Sequence, residues 1–287
     1  RSLYESGVNR PSDESMAEFD VMVFDLQDVG VRFYTYNATM ARMMDACAQF
    51  GKKMIVLDRP NPLGYYVDGP ILDMQYKSGV GWLPVPVVHG MTLGELALMI
   101  NGEGWLKDGV QCDLTVVPCK NYSRDMEYVL PVKPSPNLPN MKSIYLYPST
   151  CYFEATPVSL GRGTDKPFQI YGHPDMTGYE FSFTPRSVPG AKNPPQLDKL
   201  CYGVDLSGLT DEEIKAEGIN LEYVIDAYNN LKLDDKEMFR KFFELLIGQG
   251  YVREMIVEGK SAAEIEAMWA DDVVKFKEQR APYLIYE

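Results

Sequence analysis

The hydrophobic pattern of the first half of the chain alternates between unbroken apolar runs and helical spacing. Residues 21–24 form an apolar run that ends at Asp25, which is typical of a strand buried on both faces of a parallel sheet. Residues 37–50 place four apolar side chains on one helical face, and residues 53–58 form a second apolar run. This order of strand, helix and strand predicts a right-handed βαβ unit.

Further along, Thr92 is placed to cap a helix over residues 93–100, and residues 113–118 form a third apolar run. Residues 151–156 also have a strand-like pattern. The composition then shifts beyond Lys166. A segment rich in proline, glycine and aromatic residues leads into three helical patterns, which cover residues 221–231, 235–246 and 261–280.

These patterns predict an α/β fold with two domains. We expect residues 1–167 to form a Rossmann-like parallel sheet with helices on both faces. Residues 168–287 are expected to form a smaller, α-rich auxiliary domain of the α+β type. Its helices would close over the edge of the sheet.

Composition narrows the classes of partner. The chain has 287 residues, of which 45% are apolar and 24% are charged, and its formal net charge of −13 argues against nucleic acid and anionic membrane surfaces. No apolar run approaches the roughly 18 to 20 residues that span a bilayer. Five scattered cysteines without C-x-x-C spacing and only two histidines predict neither a disulfide framework nor a metal site.

Polar side chains gather where the first predicted strand ends. Asp25, Asp28, Arg32 and Tyr34 follow one another within a short stretch. Ligands of open α/β sheets bind beyond the carboxyl ends of the strands, so we expect these groups to line a site. The alternative is that Asp25 and Asp28 merely cap the helix that follows.

The loop after the second strand holds Asn61 between two prolines, next to Arg59. Arg59 is placed either to pair with Asp58 or to bind a ligand carboxylate. The loop at residues 133–140 repeats the arrangement, with Asn137 held between prolines beside Ser135. Such fixed loops lose little entropy when a ligand binds, although a rigid connector would look the same.

Three more residues stand at the ends of apolar runs or between glycines. His89 follows an apolar run and is either a structural residue or an acid/base group. Glu154 ends the strand-like run at residues 151–156. Arg162 has a glycine on each side, which allows close backbone approach and frees its side chain to turn inward, or leaves it in a solvated turn.

Several kinds of chemistry lack their motif. No G-x-G-x-x-G follows a strand, and no G-x-x-x-x-G-K-[ST] or G-x-S-x-G is present, so we expect no nucleotide cofactor and no serine hydrolase. The remaining carboxylates, arginines, asparagines and tyrosines are the groups that bind sugars. Glycoside hydrolysis needs an acid and usually a second carboxylate, for which Asp25, Asp28 and Glu154 are eligible.

Ordered segments along nearly the whole chain resemble the NamZ-type exo-β-N-acetylmuramidases. They are DVMVFDLQDVGVRFYTY, VLDRPNPLG, VDGPILD, VPVVHGMTLGELA, DLTVVPC, PSPNLPN, YPSTCYFEAT, GRGTDKPFQ and the closing PYLIY. The resemblance implies a Rossmann-like domain with a smaller carboxyl-terminal domain, an active site between them, and release of terminal N-acetylmuramic acid from peptidoglycan fragments without a cofactor. It also implies a periplasmic or secreted location.

The same resemblance implies a Glu-His-Gly motif upstream of the first residue given, whose glutamate is the favoured catalytic residue. We therefore expect an amino-terminal portion to be missing. Within the chain, the predicted catalytic residues are Glu154, Asp28 and Asp25. The predicted substrate-binding residues are Arg32, Tyr34, Arg59, Asn61, His89, Ser135, Asn137 and Arg162. One of the three arginines in this set, namely Arg32, Arg59 or Arg162, would bind the lactyl carboxylate that distinguishes muramic acid.

Two other functions stay open at this stage. A muramyl-sugar-binding protein without turnover would carry the same binding residues but lack the catalytic segment. A nucleotide-dependent oxidoreductase would use the βαβ unit for its cofactor, although the glycine motif is missing. In the favoured interpretation the partner is a small saccharide, with no nucleic acid and no membrane span.

Overall fold

A three-stranded parallel sheet organises the first half of the computed structural model, which describes residues 10–287. Its strands are β1 (Val21–Phe24), β2 (Lys53–Leu57) and β3 (Asp113–Val117), in the order β1-β2-β3. The helices of this half are α1 (Asp13–Ala17), α2 (Tyr36–Phe50) and α3 (Leu93–Gly102). The predicted parallel βαβ unit is confirmed, and its helix begins one residue earlier than expected.

The register of the sheet separates two faces. Phe24, Met54 and Val56 point to the side on which α2 and α3 pack, and all three are buried. On the opposite side Val21 and Val23 are 42% and 54% exposed. The apolar runs predicted that both faces of the sheet are buried. Within residues 10–287 this holds for one face, because no described element packs against the other.

The second half contains a small antiparallel sheet and most of the helices. Its strands are β4 (Ile170–His173), β5 (Phe181–Phe183) and β6 (Cys201–Asp205), in the order β4-β6-β5. The helices are α4 (Met141–Thr150), α5 (Asp211–Glu217), α6 (Glu222–Leu231), α7 (Asp235–Met238), α8 (Phe242–Ile247), α9 (Tyr251–Val257), α10 (Ala262–Glu266) and α11 (Ala270–Arg280). None of the helices described is long and apolar enough to cross a bilayer.

The strand-like prediction for residues 151–156 is wrong. The segment follows α4 directly and forms a 3-10 helix at Cys151–Ala155. Helix α4 is capped by Asn140, whose side chain accepts a hydrogen bond from the Ser143 backbone N–H at 2.9 Å while the Ser143 hydroxyl accepts one from the Asn140 N–H. This reciprocal cap fixes a helical start, and it outweighs the aromatic composition that favoured a strand.

A fully buried arginine joins the two halves. The Arg32 side chain is fully buried. Its Nη1 donates to the carbonyl oxygens of Pro70 (2.8 Å) and Val85 (2.7 Å), and its Nη2 donates to those of Leu246 (3.0 Å) and Ile247 (2.8 Å). The last two carbonyls end α8, where the helix dipole favours a positive charge.

The fit around this guanidinium is close. Gly248, which follows α8 in a left-handed conformation (φ 83°), leaves the room that Arg32 occupies, because a Cβ there would lie 2.5 Å from Nη2. Burial lowers the pKa of Arg32 to about 10, so the group is still charged at neutral pH. Arg32 therefore serves the fold, and its predicted role in binding substrate is not supported by this placement.

Replacing Arg32 with methionine should lower the free energy of unfolding by at least about 3 kcal/mol, because four buried carbonyls lose their charged donor. Urea titration measures the change. Arg186→Met is the matched control, since Arg186 forms an ion pair with Asp198 in which both side chains are more than 60% exposed, and it should alter stability little. Equal losses in the two variants would contradict the role given to Arg32.

Candidate functional site at the carboxyl edge of the parallel sheet

Asp28 is the most unusual carboxyl group of the loop that follows β1. It is 6% exposed, and its Oδ2 accepts a hydrogen bond from the Gly30 N–H at 2.8 Å. Its Oδ1 is buried and has no hydrogen-bond partner among the described residues. Burial raises the pKa of Asp28 to about 7, against the opposing effect of the Gly30 and Val29 N–H groups. Such a carboxyl group is part protonated at neutral pH, and no described residue uses the hydrogen-bonding capacity of its Oδ1.

Aromatic rings extend from Asp28 towards the second half. Tyr34 packs edge-on against Tyr36 (5.1 Å between centroids) and Tyr147 (6.3 Å), and Tyr147 packs against Phe168 (4.9 Å). Burial raises the pKa of the Tyr34 hydroxyl, and nearby Tyr36 and Asp28 raise it further. We call the rings of Tyr34, Tyr36, Tyr147 and Phe168 the aromatic wall.

Arg162 and Glu154 lie at the far end of the aromatic wall. The guanidinium carbon of Arg162 is 5.0 Å from the centroid of the Phe168 ring. Its Nε donates to Glu154 Oε1 at 3.2 Å, and its Nη2 donates to the same oxygen. Within the described residues, Arg162 Nη1 and Glu154 Oε2 are not engaged in this pair or in any other hydrogen bond. Both side chains thus keep polar atoms available to a ligand.

The loops around Arg162 and Asn137 meet. Asn137 Nδ2 donates to the Gly190 carbonyl at 2.9 Å, and the Asn137 N–H donates to the Ser135 hydroxyl at 3.2 Å. The Arg186 N–H donates to the carbonyl of Gly163 at 2.9 Å. Gly163 has a φ of 82°, and a Cβ there would lie 2.4 Å from a backbone oxygen of the Arg186 segment, so the position requires glycine.

The Tyr34 hydroxyl connects these loops to the first half, because it donates to the Pro134 carbonyl at 2.9 Å. A line of direct contacts therefore runs along the aromatic wall from Tyr34, which lies near enough to Asp28 for the carboxylate to affect its pKa, to Arg162. The sequence-predicted residues that the structure brings together along this line are Asp28, Tyr34, Ser135, Asn137, Glu154 and Arg162.

The side chains of Asn61 and His89, like that of Arg32, serve the fold. Asn61 Nδ2 donates to the Met91 carbonyl (2.9 Å) and its Oδ1 accepts from the Leu63 N–H (2.8 Å), so both ends of its amide are engaged. His89 is fully buried and its Nδ1 accepts from the Met91 N–H at 3.2 Å. Burial, assisted by the charges of Arg280 and Arg32, lowers the pKa of His89 to about 3, so the ring is neutral at physiological pH.

Asp25 and Arg59 form an exposed ion pair at the same edge of the sheet, with Arg59 Nε 2.6 Å from Asp25 Oδ1. Arg59 therefore pairs with Asp25 and not, through its side chain, with Asp58. The Asp58 carboxylate instead accepts from the Thr92 hydroxyl and the Gly94 N–H at the start of α3. Asp58 is a helix-capping residue in this fold.

Comparison with known proteins places these residues in a family. A family model described as the N-terminal domain of the exo-beta-N-acetylmuramidase NamZ matches residues 1–142, and the model of the NamZ C-terminal domain matches residues 145–286. The chain belongs to the NamZ family. The two matches together cover nearly all of it.

Individual relatives agree with this assignment. The chain is 39% identical over 302 aligned residues to the peptidoglycan beta-N-acetylmuramidase NamZ of Bacillus subtilis, an alignment that covers 99% of this chain and 72% of the relative. Two crystal structures of DUF1343 family proteins from Bacteroides fragilis are similar to the structure of this chain. One is 66% identical with a TM-score of 0.94 and covers 96% of this chain and 78% of its own. The other is 26% identical with a TM-score of 0.83 and covers 100% and 79%.

The two NamZ models meet between residues 142 and 145, inside α4. The predicted domain boundary between residues 167 and 168 stays a prediction. Tyr147 of α4 packs against Tyr34 of the first half and Phe168 of the second, so this stretch contacts both.

Sequence reasoning missed Tyr147 and Phe168 as members of the candidate site. The signal that identifies Tyr147 is the N-x-x-S pattern of Asn140 and Ser143, which caps a helix. A helix from this cap directs Tyr147 and Cys151, four residues apart, to one face, whereas a strand-like interpretation hides that relation. No comparable local signal marks Phe168.

The raised pKa of Asp28 predicts how the stability of the protein depends on pH. A carboxyl group with a folded-state pKa near 7 and an unfolded-state pKa near 4 binds more protons when folded, so stability falls as the pH rises between these values. Relative to Asp28→Asn, the parent should therefore lose roughly 2–3 kcal/mol of unfolding free energy between pH 5 and pH 8. Urea titrations at several pH values measure this difference.

Asp20→Asn is the matched control for that experiment, because the Asp20 side chain is fully exposed. Its difference from the parent should not vary over the same range. A difference for Asp28→Asn that stayed constant with pH would mean that the Asp28 carboxylate is solvated as usual.

Proposed function

We propose that this protein is an exo-β-N-acetylmuramidase that releases terminal N-acetylmuramic acid from the non-reducing end of peptidoglycan fragments. The NamZ relative from Bacillus subtilis carries that type of activity in its name, and both NamZ family models match the chain. The observation that carries the proposal is the buried Asp28 carboxyl group at one end of the aromatic wall, which has a pKa of about 7 and an oxygen that no described residue binds. The proposal includes a bacterial source and a periplasmic or secreted location, where peptidoglycan lies.

Asp28 suits the role of general acid. Cleavage of a glycosidic bond requires a proton on the leaving oxygen as the bond to the anomeric carbon breaks. A carboxyl group that is part protonated at neutral pH supplies that proton, and burial is the physical reason that Asp28 holds it. The leaving sugar then departs as an alcohol.

Glu154 is the second carboxylate that we assign to the reaction. Water must add to the anomeric carbon and give up a proton, either directly or after a covalent intermediate has formed. Arg162 holds one oxygen of Glu154 and leaves the other unengaged by described residues.

Arg162 is the arginine best suited to recognise the lactyl carboxylate of muramic acid. Arg32 is fully buried on four carbonyls, and Arg59 forms an exposed pair with Asp25. Arg162 is 29% exposed along its side chain, is oriented by Glu154 and the Phe168 ring, and keeps Nη1 for a ligand. A charge-assisted hydrogen bond from this group would favour muramic acid over glucosamine.

A muramyl-sugar-binding protein without turnover is the second candidate function. One observation favours it: two of the three predicted catalytic carboxylates, Asp25 and Glu154, are engaged in ion pairs. Glycosidases normally use two carboxylates at the reacting carbon. Binding of the sugar without its release would support this candidate.

Hydrolysis of a chromogenic N-acetylmuramide by the protein tests the proposal. We expect turnover by the parent and a fall in kcat of at least about 100-fold in Asp28→Asn, because the general acid is lost. Glu154→Gln should lose a comparable amount. If the parent bound the sugar without hydrolysing it, the result would favour the binding protein over the enzyme.

Arg162→Ala should reduce the preference for an N-acetylmuramide over the matching N-acetylglucosaminide by about 10-fold to 100-fold, the value of a hydrogen bond between charged groups. The ratio of kcat/KM for the two substrates measures it. Arg186→Ala, an exposed arginine of the neighbouring loop, is the control. An unchanged ratio in Arg162→Ala would remove Arg162 from substrate recognition.

A further inference from the structure

A cleft opens beside the loop at residues 60–64, apart from the aromatic wall. It has a volume of about 250 Å³, and its apolar lining consists of Pro62, Tyr65, Met126 and Tyr145. None of these residues belongs to the aromatic wall or to the residues assigned above. The volume is below the range of drug-sized pockets and suits a ligand of about one sugar ring.

Tyr65 presents the open aromatic face of this cleft. Its ring stacks on Tyr66 with 4.7 Å between centroids and an interplanar angle of 27°, and Tyr65 is 40% exposed. Tyr145, by contrast, is buried, and the Lys215 ammonium lies 4.6 Å from its ring centroid. Tyr66 thus supports one face of Tyr65, and the cleft leaves room for a ligand against the ring.

Polar groups surround the rings. Lys215 Nζ lies 2.7 Å from Glu127 Oε1, and Asp125 Oδ1 accepts a hydrogen bond from the Ser123 hydroxyl at 2.6 Å. Each carboxylate contributes one oxygen to these contacts and has a second that can accept from sugar hydroxyls. An aromatic face with carboxylates and an amine around it is the arrangement that binds a pyranose, whose C–H groups stack while its hydroxyls form hydrogen bonds.

The position of the cleft relates it to Asp28. The side chain of Asn61 packs directly against Gly30, where a Cβ would lie 2.1 Å from Asn61 Oδ1, and the Gly30 N–H binds Asp28. Pro62, the next residue, lines the cleft. The Asp28 turn and the cleft therefore border the same short loop. An enzyme that removes one terminal sugar holds the next sugar close to its general acid.

We propose that this cleft binds the sugar that follows the terminal muramic acid, an N-acetylglucosamine unit, with its ring against Tyr65. This proposal rests on the proposed function, because it takes the substrate to be a peptidoglycan fragment. Tyr65 then determines how well the enzyme binds a chain relative to a single sugar. The terminal sugar itself is bound by other residues, on the aromatic wall.

Calorimetric titration of the protein with two ligands tests the proposal. One ligand is N-acetylmuramic acid, and the other is a thio-linked disaccharide of N-acetylmuramic acid and N-acetylglucosamine, which resists hydrolysis. We expect the parent to bind the disaccharide about 10-fold more tightly than the single sugar. Tyr65→Ala should remove this gain without changing the affinity for the single sugar, and Tyr65→Phe should retain it.

Tyr202→Ala provides the matched control, because Tyr202 is exposed to a similar extent on a strand of the other sheet. It should leave both affinities unchanged. If Tyr65→Ala still bound the disaccharide more tightly than the single sugar, or if the parent showed no such difference, the proposal that this cleft binds the second sugar would be overturned. The proposed function would be unaffected. Failure of the parent to bind either ligand would overturn both.

Discussion

The arrangement of the molecule depends on the hydrogen bonds that the buried Arg32 guanidinium makes. A fully buried charge is tolerated only when its hydrogen bonds are nearly all made, and Arg32 makes four with carbonyls from both halves of the chain. Arg32 stands four residues after Asp28, so the bonds that anchor it also fix the turn that carries the Asp28 carboxyl group. The fold and the site therefore share one constraint.

Differences in burial divide the carboxylates of the site into separate roles. Asp28 forms no ion pair with a described residue, and its desolvation raises its pKa to about 7. Glu154 and Asp25 are each held by an arginine, Arg162 and Arg59. The fold thus leaves one carboxyl group part protonated at neutral pH and holds the others in ion pairs, a division that suits acid/base chemistry on a glycosidic bond.

The parallel sheet was predictable because its strands and helices have strong local periodicity, and the cap at Thr92 marks the start of α3 correctly. The burial of Arg32 was not predictable, because it depends on residues far away in sequence, such as Leu246 at the end of α8. The same limit applies to Asn61, whose amide is used by its own loop. The helical nature of α4, however, could have been predicted from its cap at Asn140. Because the cap was overlooked, Tyr147 was not recognised as a residue of the candidate site.

A crystal structure of the protein with N-acetylmuramic acid bound tests the central claim most directly. The claim is that the aromatic wall, with Asp28 at one end and Arg162 at the other, forms one binding surface for an acidic sugar. We predict that the sugar ring lies along this wall, with the lactyl carboxylate within hydrogen-bond distance of the Arg162 guanidinium and the anomeric oxygen near Asp28 Oδ1. A sugar bound away from both residues would contradict the account.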